Sequence, residues 1–121
     1  MIMIKKLSII GAAALLSLSP LQAREITDDE AQRCELVGLI AKAIMTGRQE
    51  GVTAQHNKAT VMRAIKSAPH WGTIVDNMIE EAYGRPVFST IWRQSEITVK
   101  FWMDWEQLCR DEHEAGLDWG L

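Results

Sequence analysis

The chain has 121 residues, 47% of them hydrophobic and 24% charged, with a net charge of −3. That is enough for one domain with a modest core, so an added staple is expected. Mild acidity, with Lys and Arg scattered singly, argues against a nucleic-acid binder, which needs clustered cations to neutralise phosphates.

Residues 1–23 read as an export signal. Lys5 and Lys6 form a short basic region, Leu7 to Leu18 an apolar run, and Leu21-Gln22-Ala23 ends on a small residue suited to cleavage. A transmembrane anchor is the competing reading, but a span takes about 20 apolar residues, and Ser17, Ser19 and Pro20 interrupt the end of this run. Arg24 rather than a cysteine follows the expected cut, which argues against a lipoprotein. The domain of residues 24–121 is therefore expected in the periplasm or outside the cell, free of the membrane. Its net charge falls from −3 to −5, because Lys5 and Lys6 are the only charges removed.

Thr27-Asp28-Asp29-Glu30 is a capping box, with acids where the helix dipole favours them. The first helix is expected from about Asp28 to Gln49, with Gly51 in the left-handed position beyond its end. Between Leu36 and Met45 only Lys42 is charged, which predicts a central helix enclosed by three others. Gly38, Ala41, Ala43 and Gly47 are small enough to let neighbours approach closely. A connection from Val52 leads to a shorter second helix, about Gln55 to Ser67, with Ala59, Val61, Met62 and Ile65 inward and Lys58, Arg63 and Lys66 in water. Pro69 ends it.

The third helix is expected from about Trp71 to Tyr83, with Ile74, Val75, Met78, Ile79 and Ala82 as its apolar stripe and Gly84 and Pro86 as its stop. Val87 and Phe88 are expected to tuck the next connection down. Ser89 or Thr90 then caps the longest helix, about Thr90 to Glu112, whose seam is read as Ile91, Thr98, Phe101, Trp105, Leu108 and Cys109. The tail from about residue 114 is expected to be loose. The fold class is all-α: a compact bundle of about four helices.

Cys34 and Cys109 are the two cysteines, one near the start of the first helix and one near the end of the last. In an exported chain they are expected to form a disulfide that links those helices. With no CxxC, and read as having no histidine at ligand spacing, they point away from a metal site or a catalytic thiol.

Cys34, Ile44-Met45, Arg48-Gln49, Gly51-Val52, Ile79-Glu80-Glu81-Ala82-Tyr83, Pro86, Ser89-Thr90, Phe101 and Cys109 together make a pattern over nearly the whole mature chain. In it the chain resembles a family of small exported bacterial and phage-associated helical proteins with no assigned activity. The resemblance implies the same helical, disulfide-linked fold and adds no chemistry. The tryptophans and the acidic stretch after Cys109 depart from the pattern.

No nucleophile with a base, phosphate loop or HExxH occurs, so no catalytic, cofactor or metal residues are assigned. His56, His70 and His113 stand in or beside connections and helix ends, and Asp111-Glu112-His113-Glu114 reads as a wet terminus, with a loose divalent-cation site as the other reading. Arg48 and Gln49 are read as a helix end that supports the corner from Tyr83 to Pro86, with an anion or partner contact as the other reading. Five tryptophans are many for this length. At about 100° per residue Trp92 and Trp102 lie about 280° apart, so they cannot both face inward. Trp92, Trp102, Asp111 and Glu112 are therefore the candidate contacts for another protein in the periplasm. The leading function is a protein-binding module of inhibitor or immunity type. The alternatives are a small acid-stress chaperone and an uncharacterised enzyme.

Overall fold

The computed structural model describes residues 24–66, 68–117 and 119; the expected export signal, Ser67 and the rest of the tail lie outside the described residues. Among the described residues there are four α-helices: α1 (Asp28–Gln49), α2 (Ala54–Ala64), α3 (Gly72–Tyr83) and α4 (Ile91–Glu114), with a 3-10 turn at Pro69–Trp71 before α3.

The start of α1 is set locally. The Thr27 hydroxyl accepts from the Glu30 N–H at 3.2 Å, while the Glu30 carboxylate accepts from the Thr27 N–H at 2.9 Å. Its stop is local too, since Gly51 has φ +84°, a geometry that side-chain-bearing residues rarely adopt. The buried positions Cys34, Val37, Gly38, Ala41, Ile44 and Met45 follow steps of three and four. They make one broad face.

The helix is not enclosed all round, as the sequence suggests. Leu36, Leu39, Lys42 and Ala43 face solvent, because α4 packs along α1 while α2 and α3 pack on α1 and on each other. Three neighbours on one broad face leave the opposite side open.

In α2 the buried residues are Asn57 and Val61; Ala59 is exposed, and Met62 and Ile65 only edge against the core. The inward face is rotated from the expected one because it carries a polar residue, Asn57, whose amide donates to the Ile44 carbonyl at 2.8 Å. The helix stops at Ala64, short of the expected end. Trp71 belongs to the 3-10 turn and is buried there, while Val75, Met78 and Ala82 carry α3 into the core. Val87 does not tuck down: it is exposed, and Phe88 alone of that pair is half-buried.

Thr90 caps α4, accepting from the Arg93 N–H at 3.3 Å. Its seam is Thr98, Phe101, Trp105, Cys109 and His113. Two expected members are out of it. Ile91 is 81% exposed, because Cys109 lies beside Cys34 and the helices run antiparallel. Counting the same number of residues along each brings Gln94 level with Gln49, so the first turn of α4 overhangs the end of α1. Leu108 is also exposed. Successive steps of four rotate the seam by about 40° each, away from Leu108.

The tail is not wholly loose. Gly116 ends α4 with φ +81°, and Trp119 returns to meet Trp105 edge-on at 6.2 Å between ring centroids. The Cys34–Cys109 disulfide, with Cα atoms 5.5 Å apart, joins α1 to α4 and closes a separation of 75 residues. A buried disulfide fits an oxidising, exported environment. Among the described residues no helix is long and apolar enough to cross a membrane.

Candidate functional site

The residues singled out in the sequence fall in three places. At the end of α1, Arg48 donates through Nε and Nη2 to the Arg85 carbonyl at 3.1 and 2.9 Å. Gln49, which is buried, donates to the Pro86 carbonyl and accepts from the Phe88 N–H, both at 2.9 Å. These side chains therefore bond the carbonyls of the α3–α4 connection rather than those of their own helix. Tyr83 closes the corner: its hydroxyl donates to the Val52 carbonyl at 2.6 Å and accepts from Asn57 at 3.0 Å, and Arg48 lies over its ring at 5.0 Å. Gly47 makes room for Asn57, since a Cβ there would sit 2.7 Å from the Asn57 amide nitrogen. The polar groups of this corner are spent on one another.

Along α4 the two candidate tryptophans part company. Trp102 packs against α1, where a Cβ on Gly38 would come within 2.6 Å of its ring, and Lys42 sits 4.9 Å from the ring centroid. Trp92 is 70% exposed. It shares a surface with Val99 and Met103, positions that follow a helical spacing of seven and four. Met103 adjoins Trp102, and Trp102 adjoins Leu39 of α1. Apolar side chains, exposed except for the half-buried Trp102, thus run without a break from Trp92 to Leu39, rimmed at the Trp92 end by Glu96, Lys100 and Asp104. Lys100 and Asp104 pair with each other at 2.9 Å.

Asp111 and Glu112 do not join that surface. Asp111 accepts from Gln107 at 2.8 Å, and Glu112 accepts from the indole N–H of Trp119. Their neighbour His113 is buried, one turn beyond Cys109.

His113 Nδ1 lies 3.0 Å from a Glu30 carboxylate oxygen. The other members of that end come from the start of the chain. Arg24 grips Glu30 with two bonds of 3.1 and 2.7 Å, and its own N–H donates to the Glu114 carbonyl at 3.0 Å. The Arg24 guanidinium, with help from the Thr27 N–H, holds the Glu30 carboxyl down to about 2. The disulfide, His113, Glu30 and Arg24 therefore form one cluster that ties the start of α1 to the end of α4. Sequence reasoning missed His113. The signal was present, because Cys109 and His113 stand four apart on one helix and so share a face.

No family model, curated protein or solved structure matches the chain. The geometry itself must say what the surface can do. The Arg48 corner bonds the carbonyls of Arg85, Pro86 and Val52 and works as a brace. The α4 stripe has unspent apolar area. A surface that displays Trp, Met, Val and Leu in one continuous tract has the composition of an interface core, where aromatic residues and Met are enriched and charge is depleted.

Proposed function

We propose that the chain is an exported protein-binding module, of inhibitor or immunity type, that meets its partner in the periplasm through the stripe Trp92, Val99, Met103 and Trp102. The observation that carries this reading is the exposure of Trp92, at 70%, at the head of an apolar tract along the longest helix. A large ring costs little conformational entropy to order and offers much contact area, which is why Trp dominates binding hot spots. Export rests on the signal read in residues 1–23 and agrees with the oxidising environment that the disulfide fits. The pattern shared with small exported helical proteins belongs to the same proposal and supplies no activity of its own. A net acidic mature chain would steer a basic partner inward. Asp111 remains solvent-facing and can contribute to that steering.

The test is a pull-down from periplasmic extract with the oxidised chain, run beside Trp92→Ala and with Lys58→Ala as a control on a different helix, each checked for native circular dichroism. One stoichiometric partner, kept by the control and lost by Trp92→Ala, is expected. Many weak clients that appear only at low pH would replace the proposal with the chaperone. No partner at all would overturn it.

A further inference from the structure

The chemically richest cluster lies at the opposite end of α4 from Trp92. Both sulfurs of Cys34 and Cys109 and one imidazole nitrogen of His113 lie within 4.8 Å of one another, and all three residues are buried. His113 Nδ1 faces Glu30 at 3.0 Å, while Nε2 is buried with no hydrogen-bond partner among the described residues. A carboxylate only accepts, so Nδ1 carries a proton, and in the neutral form of the ring the lone pair lies at Nε2. Buried polar atoms are nearly always satisfied, so a lone pair left over beside two sulfurs calls for a ligand.

We propose that in its dithiol state the chain binds one zinc ion through Cys34 Sγ, Cys109 Sγ and His113 Nε2, so that metal and disulfide are alternative occupants of one site. Two thiolates and an imidazole are a zinc donor set, and a site with three protein ligands completes its tetrahedron with water. Zinc–ligand bonds of about 2.3 Å to sulfur and 2.0–2.1 Å to nitrogen place the donors about 3.6–3.8 Å apart. The two sulfurs and an imidazole nitrogen of His113 are already within 4.8 Å of one another, and cutting the S–S bond frees the sulfurs to separate by side-chain rotation. Cys109 and His113, four apart on α4, present their donors to the same side, as histidines do in helical zinc motifs. Glu30 supplies the outer support that a zinc-bound histidine usually has, a carboxylate on the far ring nitrogen that fixes its tautomer. Arg24 and Thr27 hold that carboxylate in turn.

The chemistry balances without a hidden reagent. The chain is synthesised with two thiols, which release two protons to solvent as the two zinc–sulfur bonds form. Exchange with a disulfide oxidant then takes two electrons from the thiolates, forms the Cys34–Cys109 bond, reduces the oxidant to a dithiol with uptake of two protons, and releases Zn2+. The reverse step needs a dithiol reductant. Zinc would hold the two cysteines together in the fold until oxidation replaces it.

Cobalt serves as the optical probe. The full chain, reduced with a phosphine without air, is titrated with Co2+ and then with Zn2+, alongside the oxidised chain, His113→Gln and Glu30→Gln. One equivalent of Co2+ should give the sulfur-to-metal charge-transfer band and the intense visible bands of a tetrahedral site, bleached by Zn2+ and absent from the oxidised chain. Glu30→Gln should weaken binding by about 10–100-fold, and His113→Gln by more. X-ray absorption of the wild-type zinc form should show two sulfurs and one imidazole nitrogen, which keeps the test independent of how the variants fold. A reduced chain that takes up no metal would overturn the proposal. So would a zinc shell without imidazole, or a folded His113→Gln chain that binds as wild type does.

Discussion

Replacing both cysteines by alanine should remove a large share of the domain's stability. The bond closes a separation of 75 residues. On the chain-entropy relation this restricts the unfolded chain by about 15 cal/mol/K, or about 4.5 kcal/mol at 25 °C. Small domains have about 5–15 kcal/mol in all. Both sulfurs are fully buried between α1 and α4, so alanine also leaves a small void, and the loss should not fall below the entropic figure. Urea unfolding of the oxidised chain and of Cys34→Ala/Cys109→Ala gives the difference directly. Its slope should rise, because the uncrosslinked denatured state is more expanded. At about 4–8 °C per kcal/mol for a domain of this size, the melting temperature should drop by roughly 20–35 °C. A loss under about 1.5 kcal/mol, with the native far-UV spectrum kept, would refute the reasoning. The packing of α1 on α4 would then suffice without the link.

Three further outcomes follow from the geometry. Gly47→Ala raises helix propensity by about 1 kcal/mol, yet it should destabilise, because the new Cβ would lie 2.7 Å from the Asn57 amide. Displacing that buried amide from Ile44 and Tyr83 costs about 1–3 kcal/mol, so the net loss should reach up to about 2 kcal/mol, and a Gly47→Ala chain more stable than wild type in urea would contradict this. Gln49→Ala leaves the Pro86 carbonyl and the Phe88 N–H without their side-chain partner, so hydrogen exchange at the Phe88 amide should quicken while the amides of Phe101 and Trp105 keep their protection. Unchanged exchange at Phe88 would show that the corner holds without Gln49. Acid should act through Glu30, whose carboxyl is lowered from 4.5 to about 2, chiefly by Arg24. A lowered folded-state value means that the stabilisation is fully present above the unfolded value and is lost as pH falls from about 4.5 through about 2. Stability curves for wild type and Glu30→Gln should converge over that window, and curves that stay parallel would rule out Glu30 as the group responsible.

What could be read from the sequence and what could not divide along physical lines. Thr27 with Glu30, Gly51, Thr90 and the stop at Gly84 are local signals, decided within a turn of backbone, and each lies where the residues place it. The helical fold was legible for the same reason, and the Cys34–Cys109 link because the chain has just two cysteines, one near the start of the first helix and one near the end of the last. Asn57 was not legible, because a polar residue that turns inward leaves no mark in an apolar period; only Ile44 and Tyr83, distant in sequence, explain it. Ile91 and Leu108 fit a spacing of three and four, but their exposure depends on where α1 ends and on how the seam drifts along α4. His113 was taken for part of a wet terminus, although its step of four from Cys109 was in plain view. Trp92 and Trp102 do not both face inward, as their angular separation requires: Trp92 is exposed and Trp102 half-buried. Which one stays exposed depended on Gly38, whose missing side chain makes the berth for Trp102.

The central claim is that the stripe on α4 is a binding surface, and an affinity measured on the purified partner tests it most directly. Isothermal titration of that partner should be run with the wild-type oxidised chain, Trp92→Ala and Met103→Ala. An aromatic hot spot contributes about 2 kcal/mol or more, so Trp92→Ala should weaken binding at least about thirtyfold, with a smaller loss for Met103→Ala. Equal affinities for all three folded chains would contradict the account and place the partner on another face.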